Sequence, residues 1–246
     1  MMKYLTKAIE LILELIYPNR CICCDEVLEF GEDPWLCHGC AEKVKPITGK
    51  VCRVCGVPIA ANDICSDCSD KKLYFKRAYC AFEYKNEVRQ AIHNIKFNNC
   101  PRYLKYFADI LCSYANDRGF EGADIVTFVP MRPKNRRKRG YNQSELLAKE
   151  LARRGMGEFM PLLLKVKDTK NQHDIAKEER RKNLKNAFAP IDPDKIKGKK
   201  ILLADDIYTT GSTANECAKT LIKAGAQSVE VICIAIVNKR DPNMDK

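Results

Sequence analysis

The sequence lacks any apolar run approaching the ~18 residues that a membrane span needs. Low-complexity sequence is scarce, and nothing repeats beyond short cysteine motifs. No small-residue cleavage site follows the N-terminal segment, so a secretory signal is not expected. There Leu5, Ala8, Ile9, Ile12, Leu15 and Ile16 recur at helical spacing, interrupted by Glu10 and Glu14. A helix packed on the rest of the protein is the expectation, with an interfacial or partner-binding helix as the alternative. A globular protein is the expectation. Its 246 residues, 46% of them hydrophobic, give room for a core and two domains, one small. Lys and Arg outnumber Asp and Glu by 43 to 32, a net charge of +11 that favours anionic partners.

Fourteen cysteines would suit a secreted disulfide scaffold, but their distribution speaks against one. Eight form four Cys-x-x-Cys pairs: Cys21 with Cys24, Cys37 with Cys40, Cys52 with Cys55, and Cys65 with Cys68. The others (Cys23, Cys80, Cys100, Cys112, Cys217 and Cys233) scatter, several in apolar runs. A reducing cytoplasm with metal-bound thiolates explains both populations. Each Cys-x-x-Cys turn brings two thiolates to one side of a tight loop, and two turns complete the tetrahedral shell of structural Zn²⁺. Eight ligands therefore imply two zinc ions. A thioredoxin-like reading lacks the surrounding βαβ pattern. A metal-free cysteine core lacks apolar material, because Pro, Asp and Lys fill the intervals. Sequential pairing spans intervals of 12 and 9 residues and is preferred, although a crossed pairing, first with third, satisfies the same chemistry. Cys23 and His38 flank ligands and are candidate substitutes. Trp35 is expected to pack under the first ribbon.

Beyond the cysteines, 77–84 alternates like a strand, and helical patterns follow over 87–97 and from Pro101 onward. His93 reads as a satisfied histidine; Lys96 either reaches a cleft or stays solvated. The run 123–130 reads as the first strand of the main sheet. It leads into a loop, 131–140, in which six of ten residues are basic and none acidic. Ser144 is a plausible N-cap for the helix to Arg154, with Gly155 ending it. A cationic loop at a strand's carboxyl end suits pyrophosphate, since Arg matches phosphate oxygens with a rigid fork. Arg132, beside the strand end, is the candidate for it. Arg136 to Arg139 also point to phosphate, whose being open; a solvated loop or a nucleic-acid patch is the plainer reading. A short strand is expected over 162–166 and a buried one over 228–237.

The chain is organised around 199–224. Four apolar residues, Ile201 to Ala204, read as a strand buried on both faces. Asp205 and Asp206 follow, then Thr209, Thr210, Gly211, Ser212 and Thr213, then a helical repeat closed by Gly225. Open α/β sheets bind ligands at such a strand end. Backbone N–H groups at a helix start favour phosphate, the hydroxyls add neutral donors, and Gly211 lets the backbone approach. Carboxylates repel phosphate but accept from sugar hydroxyls, so a monophosphorylated ribose fits both halves. The plain alternative is a buried strand ending in a solvated Asp-Asp turn.

Residues 201–213 resemble the phosphoribosyl pyrophosphate (PRPP) motif of type I phosphoribosyltransferases. The whole chain resembles the ComF family of competence-associated proteins. Arg139-Gly140-Tyr141-Asn142-Gln143 is similar to that family's Arg-Gly-Phe-Asn-Gln element, with Tyr141 for Phe. Thr169, Gln172, Arg180 and Asn183 before Ala187-Phe188 match its Thr-x-x-Gln…Arg-x-x-Asn element, with Ile175 where leucine is commoner. The resemblance implies an α/β fold: a type I phosphoribosyltransferase-like, mainly parallel sheet flanked by helices, with a small N-terminal double zinc-ribbon domain. The expected divisions are a helix over 1–20, ribbons over 21–72 and the larger domain over 73–246. It implies Asp205 and Asp206 on the ribose hydroxyls, Thr209 to Thr213 on the 5′-phosphate, Arg132 and Arg139 on phosphate oxygens, and Mg²⁺. It also implies a mobile loop over 167–185, in which His173 reads as merely exposed. The acceptor is not legible. The family points to DNA uptake, with single-stranded DNA and a competence helicase as partners. A non-catalytic factor using the ribosyl-phosphate site for binding or regulation is the alternative.

Overall fold

The computed structural model describes residues 18–29, 33–98, 100–167 and 184–240. The expected N-terminal helix and most of the expected mobile loop, with Thr169, Gln172, His173, Ile175, Arg180 and Asn183, lie outside these residues.

Two short helices, α1 (His38–Ala41) and α2 (Ser66–Ser69), belong to the cysteine region. Then follow β1 (Ala78–Glu83), α3 (Asn86–Phe97), a 3₁₀ turn at Pro101–Tyr103, α4 (Leu104–Asn116), β2 (Ile125–Phe128), α5 (Pro133–Arg139), α6 (Gln143–Arg153), β3 (Glu158–Phe159), β4 (Leu163–Lys165), β5 (Phe188–Pro190), β6 (Lys200–Tyr208), α7 (Ser212–Lys223) and β7 (Ser228–Ile236). Five strands form one parallel sheet in the order β1-β7-β6-β2-β3, while β4 and β5 pair antiparallel beside it. Ile201 to Ala204 on β6 and Val229, Val231, Ile232 and Cys233 on β7 are no more than 2% exposed, as a parallel sheet covered on both faces requires. Crossovers run from β2 through α6 to β3, and from β6 through α7 to β7 in the opposite direction along the sheet, and such connections are right-handed as a rule. That opposition puts α6 and α7 on opposite faces. Helix α4 packs beside α6, burying Leu104, Phe107, Ala108 and Leu111 from one apolar stripe.

Three details differ from the sequence reading. The segment 77–84 looks half-exposed, yet Ala78 to Phe82 are all buried, and β1 is an edge of the main sheet itself. The strand expected to come first is therefore the sheet's second in chain order. The strand within 162–166 joins only the small ribbon with β5. The basic loop is a seven-residue helix, α5, opened by Pro133 and ended by Gly140 at φ 83°. Its basic last turn faces the negative end of its own dipole, which favours the helix.

The cysteines form two tetrads, Cys21/Cys24/Cys37/Cys40 and Cys52/Cys55/Cys65/Cys68, each with its sulfurs within 4.8 Å of one another. The pairing is sequential. Cys24 and Cys37 Sγ lie 3.6 Å apart, and Cys55 and Cys65 Sγ 3.7 Å. Four thiolates about 2.3 Å from a tetrahedral zinc sit roughly 3.8 Å apart, so both sets fit structural Zn²⁺. Cys23 is buried outside the tetrads, and His38 is exposed beside Glu42; neither substitutes. Trp35 is partly buried, its ring 6.4 Å from Tyr106.

The ribbons are fastened to the larger domain rather than tethered to it. The second covers the free edge of β1: the Ile47 amide donates to Ala81 O and the Ala78 amide to Val54 O, both at 2.7 Å. An uncovered edge would offer itself to other chains. The first ribbon docks on α3, where Asn94 Nδ2 donates to Ile22 O (2.9 Å) and Cys23 O (3.3 Å). Gly56 closes the third knuckle at φ 79°, and a β-carbon there would lie 2.9 Å from Ala78 O. Gly56→Ala is expected to cost about 1–3 kcal/mol through that strain, read as a lower melting temperature in thermal denaturation. Metal analysis is expected to give two zinc ions per chain.

Candidate functional site

Strand β6 does not stop at the acidic pair but runs through it to Tyr208. On the β7 side its pairing continues, with Asp205 opposite Cys233 and Ile207 opposite Ala235. On the β2 side pairing ends at Phe128 with Ala204, and the Val129 amide donates a last 3.0 Å bond to Ala204 O. From β2 the chain proceeds one way along the sheet and from β6 the other, so the two carboxylates stand at the topological switch point, where a crevice opens. Successive strand residues point to opposite sides, which gives the two acids different surroundings.

Asp206 is 7% exposed. Lys96 Nζ lies 2.8 Å from its Oδ2, and Gln143 Nε2 donates to the same oxygen at 2.7 Å. Burial works against its charge, but the Lys96 ammonium, its hydrogen bond and that of Gln143 outweigh it and hold the carboxyl below the usual range. Arg139 extends the network, donating to Gln143 Oε1 at 2.7 Å with its guanidinium 5.1 Å from the Phe97 ring centroid.

Asp205 is partly exposed, and among the described residues Lys96 acts on it only as a weaker, more distant charge. Ser144 Oγ donates to its Oδ1 at 2.9 Å, as does the Asp206 amide. Burial, then the neighbouring Asp206 charge, push its pKa up to about 7 despite those donors. An ordered array of sugar hydroxyls or a divalent cation would favour its charged form.

Ser144 is therefore not the N-cap of α6. That role falls to Asn142, whose side chain accepts from the Ser144 amide at 3.1 Å while Nδ2 donates to Val129 O at 3.1 Å. The cap frees Ser144 and Gln143 to face the two aspartates. The sequence reading gives neither a place in the site, taking Ser144 as a cap and Gln143 only as part of a family element; the signal is the Asn-Gln-Ser run just after the basic segment. Lys96, left open by its helical position, reaches the cleft. His93 is exposed, its ring 4.7 Å from that of Phe97.

The loop 209–213 follows. Gly211 caps α7 at φ 72°, and a side chain there would collide with the Tyr208 hydroxyl. Thr210 and Ser212 hydroxyls lie 2.9 Å apart, and the Ser212 amide donates weakly to Thr210 Oγ1 at 3.4 Å. Thr209 is exposed; Thr210, Ser212 and Thr213 are partly so. Arg132, partly buried, caps the N-terminus of α5, and Arg136 pairs with Glu145 at 3.3 Å.

Comparison with known proteins fits this geometry. A double zinc ribbon domain model matches residues 12–69 and a phosphoribosyl transferase domain model residues 142–246. The chain is 30% identical to the DNA utilization protein YhgH of Salmonella typhimurium over 89% of its own length and 98% of that protein's. The chain belongs to the ComF family. It is also 28% identical to competence protein F of Haemophilus influenzae over 86% of its own length and 94% of that protein's. With competence protein ComFC of Bacillus subtilis the identity is 24%, over 85% and 91%. The fold is accordingly the type I phosphoribosyltransferase α/β sheet, preceded by zinc ribbons in which the two tetrads hold structural Zn²⁺.

Two outcomes are expected. Because folding raises the Asp205 pKa to about 7, the stability linked to that group is full below its ordinary value near 4 and lost as pH rises through 7. Asp205→Asn should therefore raise the melting temperature at pH 8, with the gain vanishing toward pH 4. Lys96→Met, which leaves Asp206 buried and uncompensated, should cost about 3 kcal/mol at pH 7, measured by denaturant unfolding.

Proposed function

We propose that this ComF-family protein binds PRPP with Mg²⁺ and transfers or holds its phosphoribosyl group. The observation that carries the reading is the split acidic pair: one carboxylate held ionised by an internal lysine, the other partly exposed at the switch-point crevice, ahead of a hydroxyl-rich helix start. On this reading the ribose hydroxyls donate to Asp205, and Asp206, fixed by Lys96 and Gln143, supplies negative charge beneath the ring. Pyrophosphate departure leaves oxocarbenium-like charge on the sugar, which a fixed carboxylate stabilises. The loop Thr209, Thr210, Gly211, Ser212 and Thr213 takes the 5′-phosphate through α7 amides and hydroxyls. Arg132 and Arg139, on the α5 side of the crevice, stabilise the leaving pyrophosphate. Asp205 is a hard oxygen donor suited to Mg²⁺, which when bound supplies charge neutralisation across the phosphate and ribose oxygens. In calorimetry PRPP with Mg²⁺ is expected to bind, and Asp205→Asn to weaken it about tenfold or more. Absence of binding by the parent chain would overturn the proposal.

A second reading has its own observation. Helix α5 carries Lys134, Arg136, Arg137, Lys138 and Arg139 and no acid, and beside it Phe97 is 64% exposed against His93. A basic face with an exposed ring suits single-stranded nucleic acid. The names of the relatives, competence and DNA utilization proteins, agree with a role in DNA uptake. Binding to oligodeoxythymidine should weaken steeply with salt, and Phe97→Ala should weaken it without changing the salt slope, whereas Arg136→Ala with Arg137→Ala should lower that slope by about 1–2. Salt-insensitive binding would reject this reading.

A further inference from the structure

The phosphate loop is braced from behind by the second zinc ribbon. Tyr208, the last residue of β6, is 7% exposed and packs edge-on against Phe75, with ring centroids 6.3 Å apart. Its hydroxyl end lies against Gly211, in the space where any larger residue would have a β-carbon. Tyr208 lines a small cleft with Cys55 and Cys68 of the second tetrad and with Thr209 and Thr210 of the loop. One turn further on, Asn215 Oδ1 accepts from the Tyr74 amide at 2.7 Å, and its Nδ2 donates to Lys72 O at 3.2 Å. Residues 72–75 begin four positions after Cys68. At the cleft's far rim Arg240 donates to Ser66 Oγ at 3.0 Å. Among the described residues, the side-chain bonds of the first ribbon to the larger domain go instead to α3 and the 3₁₀ turn.

Both ends of the phosphate loop thus bear on the segment 72–75 that leaves the second tetrad, Gly211 through Tyr208 and α7 through Asn215, and Tyr208 also shares a cleft with Cys55 and Cys68. We propose that Tyr208 and Asn215 are positioning residues that couple zinc in the second tetrad to phosphate binding at Thr209 to Thr213. The inference rests on the phosphoribosyl reading of that loop. Coupling between two sites is reciprocal, so a ligand that tightens the loop must also make the second zinc harder to lose.

The experiment uses the zinc-loaded full chain, with ribose 5-phosphate as probe of the loop and pyrophosphate as probe of the basic side. Zinc release into a chromogenic chelator is followed with and without ribose 5-phosphate. The parent chain is expected to release two zinc ions in two phases, with ribose 5-phosphate slowing one of them about fivefold or more. Asn215→Ala and Tyr208→Leu should keep two zinc ions and bind pyrophosphate as the parent does. They should lose most ribose 5-phosphate affinity and all of the ligand's effect on zinc release. Tyr208→Phe, which keeps the ring, should restore part of both. If the parent binds ribose 5-phosphate but zinc release ignores it, or the variants bind it normally, the coupling is refuted while the loop assignment stands. If the parent does not bind ribose 5-phosphate, the phosphoribosyl reading fails first. Should either variant lose its zinc, the other decides.

Discussion

The site depends on the ion pair between Lys96 and Asp206. Two adjacent carboxylates at the end of a buried strand cannot both stay charged without compensation: each resists burial and each repels the other. One ammonium at 2.8 Å resolves the conflict in favour of Asp206. The remaining cost falls on Asp205, whose pKa is driven up to about 7. A ligand that donates to that carboxylate relieves a tension already present in the empty fold. Retaining such tension lowers stability, a familiar trade at functional sites.

The zinc ribbons have a larger part in this than their size suggests. Asn94 ties α3 to the first ribbon two residues before Lys96, so the cation facing Asp206 stands on a metal-stiffened support. The second ribbon closes the β1 edge and backs Tyr208. The main sheet contributes the crevice, and the ribbons hold the two flanking segments in place. The basic helix α5 remains on the open side, with no buried residue of its own, held by Arg136 to Glu145 and Arg139 to Gln143.

Where the signal was local, the sequence was sufficient. Ile201 to Ala204, the acidic pair and the Gly211 turn lie within a few residues of one another, and the cysteine knuckles declare themselves by spacing. What escaped were interactions across long separations. Gln143 and Ser144 meet the aspartates only because Asn142 takes the cap that a local rule gives to Ser144. Strand β1 looked half-exposed because the ribbon that covers it lies in a different part of the chain. Helix α5 reads as a loop, since a proline and six polar residues carry no apolar period to announce a helix. Lys96 was ambiguous for the same reason: its helical position fixes a direction, and only the docking of α3 decides whether that direction is cleft or solvent.

The most direct test is a ¹³C titration of the aspartate carboxylates in the free chain and with ribose 5-phosphate and Mg²⁺. The account requires one aspartate to titrate near pH 7, to vanish in Asp205→Asn, and to move well below 7 once the ligand is bound, while Asp206 titrates below the usual carboxylate range. Two carboxylates titrating in the ordinary range, both indifferent to the ligand, would contradict it.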